Sequence, residues 1–81
     1  METIWVLKKD NQPDSEVFAT EELGLTAYRE HIEERTYGMD WLDDNFEWHD
    51  EFYTKGRHYA CYLYGEFIAS LDQLMVNYGE N

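Results

Sequence analysis

The sequence predicts an α+β domain with the element order ββα–ββ–α, an antiparallel sheet of about four strands carrying two helices on one face. Three observations predict it. Two pairs of β-rich runs are each joined by turn residues, at 3–20 and 46–64. A capped helical stretch lies between the pairs. A second capped, amphipathic stretch ends the chain.

The first run, Thr3 to Lys9, places Ile4 and Val6 on one face and Trp5 and Leu7 on the other. Asp10-Asn11-Gln12-Pro13-Asp14-Ser15 reads as a turn around the only proline. Glu16 to Thr20, with Val17 and Phe18, returns as the second strand. Thr20 to Tyr37 then reads as a helix. Thr20 caps it, and Glu21 and Glu22 suit the positive end of its dipole. Leu25, Tyr28 and Ile32 form one buried stripe, His31 is a solvated residue, and Gly38 suits a left-handed C-terminal cap. Gly24 weakens the first turns, so the helix could start as late as Thr26.

Phe46 to Tyr64 predicts a second hairpin. Phe46, Trp48 and Phe52 alternate with Glu47, His49 and Glu51, and Thr54-Lys55-Gly56-Arg57 supplies the turn. A helix over 40–52 is the alternative, gathering Trp41, Trp48 and Phe52 on one face. At the C-terminus Ser70-Leu71-Asp72-Gln73 fits a capping box. Leu71, Leu74, Met75 and Tyr78 follow at helical spacing, and Gly79 is placed to end that helix.

Composition bounds the function. Eighteen Asp and Glu face six Lys and Arg, for a net charge of −12, whereas solubility asks for a magnitude of roughly 2–8 in a small domain. Such an excess repels nucleic acids and acidic membranes and attracts basic surfaces. At 81 residues, with 43% hydrophobic and 17% aromatic content, the chain reads as one globular domain over 1–81 rather than an acidic disordered tail. The N-terminus lacks a basic segment followed by an apolar one, and no run is long enough to span a bilayer. The expected location is cytoplasmic. Cys61 stands alone and reads as a small buried hydrophobe in a reducing compartment.

The residues that could carry binding cluster between 40 and 64. Asp40, Asp43, Asp44, Glu47, Asp50 and Glu51 form a run without Lys or Arg. Alternate strand residues advance about 6.6–6.8 Å, and duplex DNA spaces the charges of one strand about 3.4 Å apart. Carboxylates on a strand can therefore keep step with every second phosphate. Phe46, Trp48 and Phe52 are expected in the core, while Tyr53, Tyr62 and Tyr64 are the better interface residues, since amphipathic rings favour protein contacts.

No catalytic or cofactor motif is present. Gly-x-Ser-x-Gly, a phosphate loop and Cys/His zinc spacing are all missing. His49-Asp50-Glu51 with His58 could converge on a metal, but the spacing matches no ligand motif. Small acidic inhibitors encoded by bacteriophages, including anti-CRISPR and antirestriction proteins, resemble this chain in size, charge and lack of motifs. That resemblance carries no residue assignments. The expectation is a non-catalytic protein, needing no cofactor, that occupies the nucleic-acid-binding surface of a basic partner. The alternatives are a structural or assembly subunit with an aromatic homo-oligomer interface, and a metal-dependent module.

Overall fold

Hydrogen bonding by Thr20 decides where the helix begins. In the computed structural model, which describes residues 2–54 and 56–76, its hydroxyl accepts from the Leu23 amide at 3.2 Å. A cap of this type is worth about 1 kcal/mol. The elements are β1 (Glu2–Lys9), β2 (Glu16–Phe18), α1 (Glu21–Arg35), β3 (Phe46–Tyr53), β4 (Gly56–Leu63) and β5 (Glu66–Val76). The five strands form one sheet in the order β2-β1-β5-β4-β3, and every adjacent pair is antiparallel. The described residues thus hold five strands and one helix, not four strands and two helices. Both hairpins form as expected, and residues 46–53 are strand rather than helix.

The expected C-terminal helix is instead β5, the central strand. Its Glu66–Val76 span pairs with β1 from Glu2↔Val76 to Lys9↔Ala69 and with β4 from His58↔Asp72 to Leu63↔Glu66. The local capping signal at Ser70–Gln73 is overridden because a helix there would leave β1 and β4 facing an empty place in the sheet. Their backbone groups would then lack partners in the middle of the molecule. Ala69 and Leu71 satisfy strand alternation, two residues apart on one face. Tyr78 and Gly79, the other parts of the helical reading, lie outside the described residues.

Helix α1 packs on one face of the sheet, over β1 and β5 and against β2. Trp5 and Leu7 of β1, Ala69 and Leu71 of β5, Cys61 of β4 and Phe46 of β3 form the core with Tyr28 and Ile32. The buried helical positions are Gly24, Tyr28, His31 and Ile32, while Leu25 is only partly covered. Gly24 does not delay the helix. It permits close approach: a Cβ there would stand 3.0 Å from Leu71 Cδ1 and 3.3 Å from Trp5 Cβ. Gly38 takes the left-handed conformation expected of it (φ 73°), and its amide donates to the Glu33 carbonyl.

His31 is buried rather than solvated. Its Nε2 lies 2.9 Å from Asp10 Oδ1, and Arg35 holds the same carboxylate through Nε and Nη2, at 3.0 and 2.7 Å from Oδ2. These contacts tie the end of β1 to the last two turns of α1. Burial pushes the Asp10 carboxyl up, but the bonds from Arg35 and His31 outweigh it and hold the group below its usual value.

Candidate protein-binding surface

Among the described residues one helix covers one face of the sheet, and no second layer covers the other. Strand register and alternation decide which side chains reach it. Across β3, β4 and β5 it carries the rows Glu47–Tyr62–Phe67, His49–Ala60–Ser70 and Glu51–His58–Asp72. The β5–β4 register shifts between Cys61 and Tyr62, which marks a bulge. Tyr53 ends β3 on this same face.

Polar pairing organises the open face. His49 Nε2 lies 2.5 Å from Glu47 Oε2. The Tyr53 hydroxyl donates to Glu51 Oε1 at 2.9 Å, and this acceptor raises the Tyr53 pKa. His58 Nδ1 contacts Asp72 Oδ1. The Tyr62 ring meets His49 edge-on at 5.6 Å and Phe67 at 5.8 Å. Glu47, Glu51, Tyr53 and Tyr62 therefore share one surface.

The other expected site residues lie elsewhere. Asp50 points to the helix side of β3, where Arg57 grips it through Nε (2.8 Å) and Nη2 (2.7 Å). The bonds from that guanidinium depress the Asp50 pKa. Asp40 and Asp43 organise the turns before β3: Asp40 accepts from the Leu42 amide, and Asp43 accepts from the Asn45 amide and side chain. Asp44 is exposed beside them. Tyr64 sits in the β4–β5 turn at φ 54°, and its amide donates to the Asn45 carbonyl. The acidic turns and Tyr64 thus meet at one end of the hairpin, about 24 Å along β3 from Tyr53 by strand rise. Carboxylates do not occupy every second position of β3, because His49 separates Glu47 from Glu51.

On the helix side β3 extends past the footprint of α1. Phe46 is buried, but Trp48 is 41% exposed and Phe52 74%, which corrects their expected core placement. Trp41 folds back so that its carbonyl accepts from Trp48 Nε1 at 3.3 Å. With Leu25, Tyr28, Leu42 and Tyr59 these rings line a groove of about 410 Å³. Arg57 lies over Phe52 and Tyr59, 4.5 and 4.7 Å from the ring centres. The Tyr59 hydroxyl donates to Glu21 Oε2 at 2.8 Å. Desolvation, then that acceptor, raises the Tyr59 pKa to about 12.

His49, His58, Phe67 and Asp72 also belong to the open surface but were not among the expected binding residues. Asp72 was hidden by the helical reading of 70–79, and strand register is the signal that recovers it. Glu51 and His58 face each other across the hairpin while Asp50 lies on the opposite face, so the conjectured His49–Asp50–Glu51–His58 metal cluster is divided. Among the described residues no group of three His, Cys, Asp or Glu is arranged to hold a metal ion. No described helix is long and apolar enough to cross a membrane. Compared with protein-family models, curated proteins and solved structures, the chain finds no match in any of the three.

Proposed function

We propose that this is a non-catalytic acidic binding protein that presents the open face of β3 and β4, with the adjoining acidic turns, to the basic nucleic-acid-binding surface of a partner protein. Occupying that surface would exclude nucleic acid, making the protein a competitive inhibitor. One observation carries the reading: much of the chain's small basic complement is consumed internally. Lys9 pairs with Glu16, Arg35 with Asp10, and Arg57 with Asp50 and Glu21. The acidic excess is therefore left facing outward, where it supports electrostatic steering toward a basic partner.

The test begins with capture of partners from bacterial lysate at low and high salt, read by mass spectrometry. The recovered partner is then titrated with two triple variants. One carries Asp44→Asn, Glu47→Gln and Glu51→Gln on the proposed surface. The other carries Glu30→Gln, Glu33→Gln and Glu34→Gln on the outer side of α1. The first should slow association several-fold and flatten the salt dependence, while the second changes both much less. Nucleic acid should compete with the protein for the partner. Equal losses from both variants would show that bulk charge alone matters.

A further inference from the structure

Among the described residues strand β3 is an edge of the sheet. It runs for eight residues, Phe46–Tyr53, and contains no Pro, Gly or Lys. Edge strands in natural proteins are commonly guarded by Pro, by Lys and other charges, by bulges or by being very short; the charges of β3 are Glu47, Asp50 and Glu51, and Asp50 is already paired with Arg57. The edge at the other side is the short β2, Glu16–Phe18, and the bulge falls between β4 and β5. Half of the backbone amides and carbonyls of an edge strand point away from its single neighbour, so β3 offers a partly unpaired ladder.

We propose that β3 pairs antiparallel with β3 of a second copy, about a two-fold axis through Asp50. Side chains that face each other across an antiparallel ladder lie on the same side of the sheet, so the axis must pass through a residue rather than between two. The Asp50-centred register sets His49 opposite Glu51 of the second copy, Trp48 opposite Phe52 and Glu47 opposite Tyr53, each twice over. The pairing exchanges the intrachain His49–Glu47 and Tyr53–Glu51 contacts for a histidine–carboxylate pair and a carboxylate–hydroxyl pair across the interface, and adds an aromatic pair. Phe52 is 74% and Trp48 41% exposed, so both rings have apolar surface to cover. The two central Asp50 carboxylates are each already held by their own Arg57 through two nitrogens, which removes the obvious repulsion at the axis. Moving the axis to His49 would oppose Glu47 to Glu51. An axis at Glu51 would oppose that residue to itself. An axis at Trp48 would leave Glu51, Phe52 and Tyr53 facing residues that precede β3. The pairing makes a ten-stranded sheet with both helices on one side and both open faces on the other.

This proposal is independent of the basic partner, and salt separates the two. Each copy carries −12, so two copies repel at long range and added salt should promote their pairing, whereas it should weaken binding to a basic protein. The experiment is sedimentation equilibrium of the intact chain at low salt and at about 1 M salt, where the screening length is ~3 Å. Dimer is expected, with a smaller dissociation constant at high salt. His49→Glu should raise that constant about tenfold by placing carboxylates opposite Glu51, and Glu51→Lys should raise it by removing the acceptor that faces His49. An equimolar mixture of the two variants should restore dimer, because the introduced lysine then faces the introduced glutamate and the native His49–Glu51 pair re-forms at the other site. Circular dichroism of each variant verifies folding, and Glu51→Lys alters an exposed side chain. A protein that stays monomeric at high concentration and high salt would overturn the proposal. So would a dimer that both variants leave unchanged, or a mixture that forms no more dimer than either variant alone.

Discussion

Replacing Leu71 and Leu74 separately by alanine tests the central strand. Leu71 is fully buried beneath α1, in contact range of Gly24 and level with Leu7 and Tyr59 in the ladder. Leu74 lies on the open face, opposite Ile4, and is 48% exposed. A buried Leu→Ala change costs about 2.7–5 kcal/mol, because a cavity is added to the lost transfer energy. At Leu74 only about half of the side chain leaves water, and among the described residues no second layer encloses a cavity. Burying a whole Leu side chain is worth about 1.5–3 kcal/mol, so truncating this one should cost about 1 kcal/mol. A domain of this length has a total stability on the order of 4–12 kcal/mol. Leu71→Ala therefore removes a large fraction of it, lowering Tm by about 10–40 °C at roughly 4–8 °C per kcal/mol. Leu74→Ala should move it by less than about 8 °C. Urea titration with a shared m-value would measure both changes. In a C-terminal amphipathic helix the two leucines would share one buried stripe and lose similar amounts. Equal losses, or a larger one at Leu74, would refute the strand and the face assigned to it.

Three further outcomes follow from the packing. Gly24→Ala should destabilise by about 1–3 kcal/mol through overpacking, despite the ~1 kcal/mol gain in helix propensity; combining it with Leu71→Ala in a double-mutant cycle should relieve part of that cost. Asp10→Asn should flatten the acid side of the pH–stability profile. The folded-state pKa of Asp10 is depressed, so its stabilisation is present above the unfolded carboxylate pKa of about 3.9 and disappears as pH falls through the folded value; an unchanged acid limb in the variant would count against the His31–Asp10–Arg35 contacts. Cys61 is fully buried, and desolvation raises its thiol pKa to about 11, so native protein should react with a thiol reagent far more slowly than urea-unfolded protein; rapid native labelling would contradict its place in the core.

Local chemistry made several elements legible from sequence alone. Thr20 has a capping hydroxyl and acids following it, Gly38 tolerates a positive φ, and Phe46 to Glu51 alternates with a period of two. Each of these signals acts within a few residues, so no distant partner is needed to read it. The acidic excess was equally direct, since net charge is a sum over the chain. What tertiary structure decided were the competitions between local preference and distant partners. Ser70–Gln73 carries a helix-start pattern, yet β1 and β4 both require a strand between them. Gly24 resembles a helix weakness until Leu71 and Trp5 arrive against it. His31 resembles a surface residue until Asp10, twenty-one positions earlier, supplies a partner. Phe52 follows the same alternation as Phe46, but only Phe46 is buried in the core shared with α1. Burial and pairing are properties of where the chain returns. They depend on contacts that no short window of sequence contains.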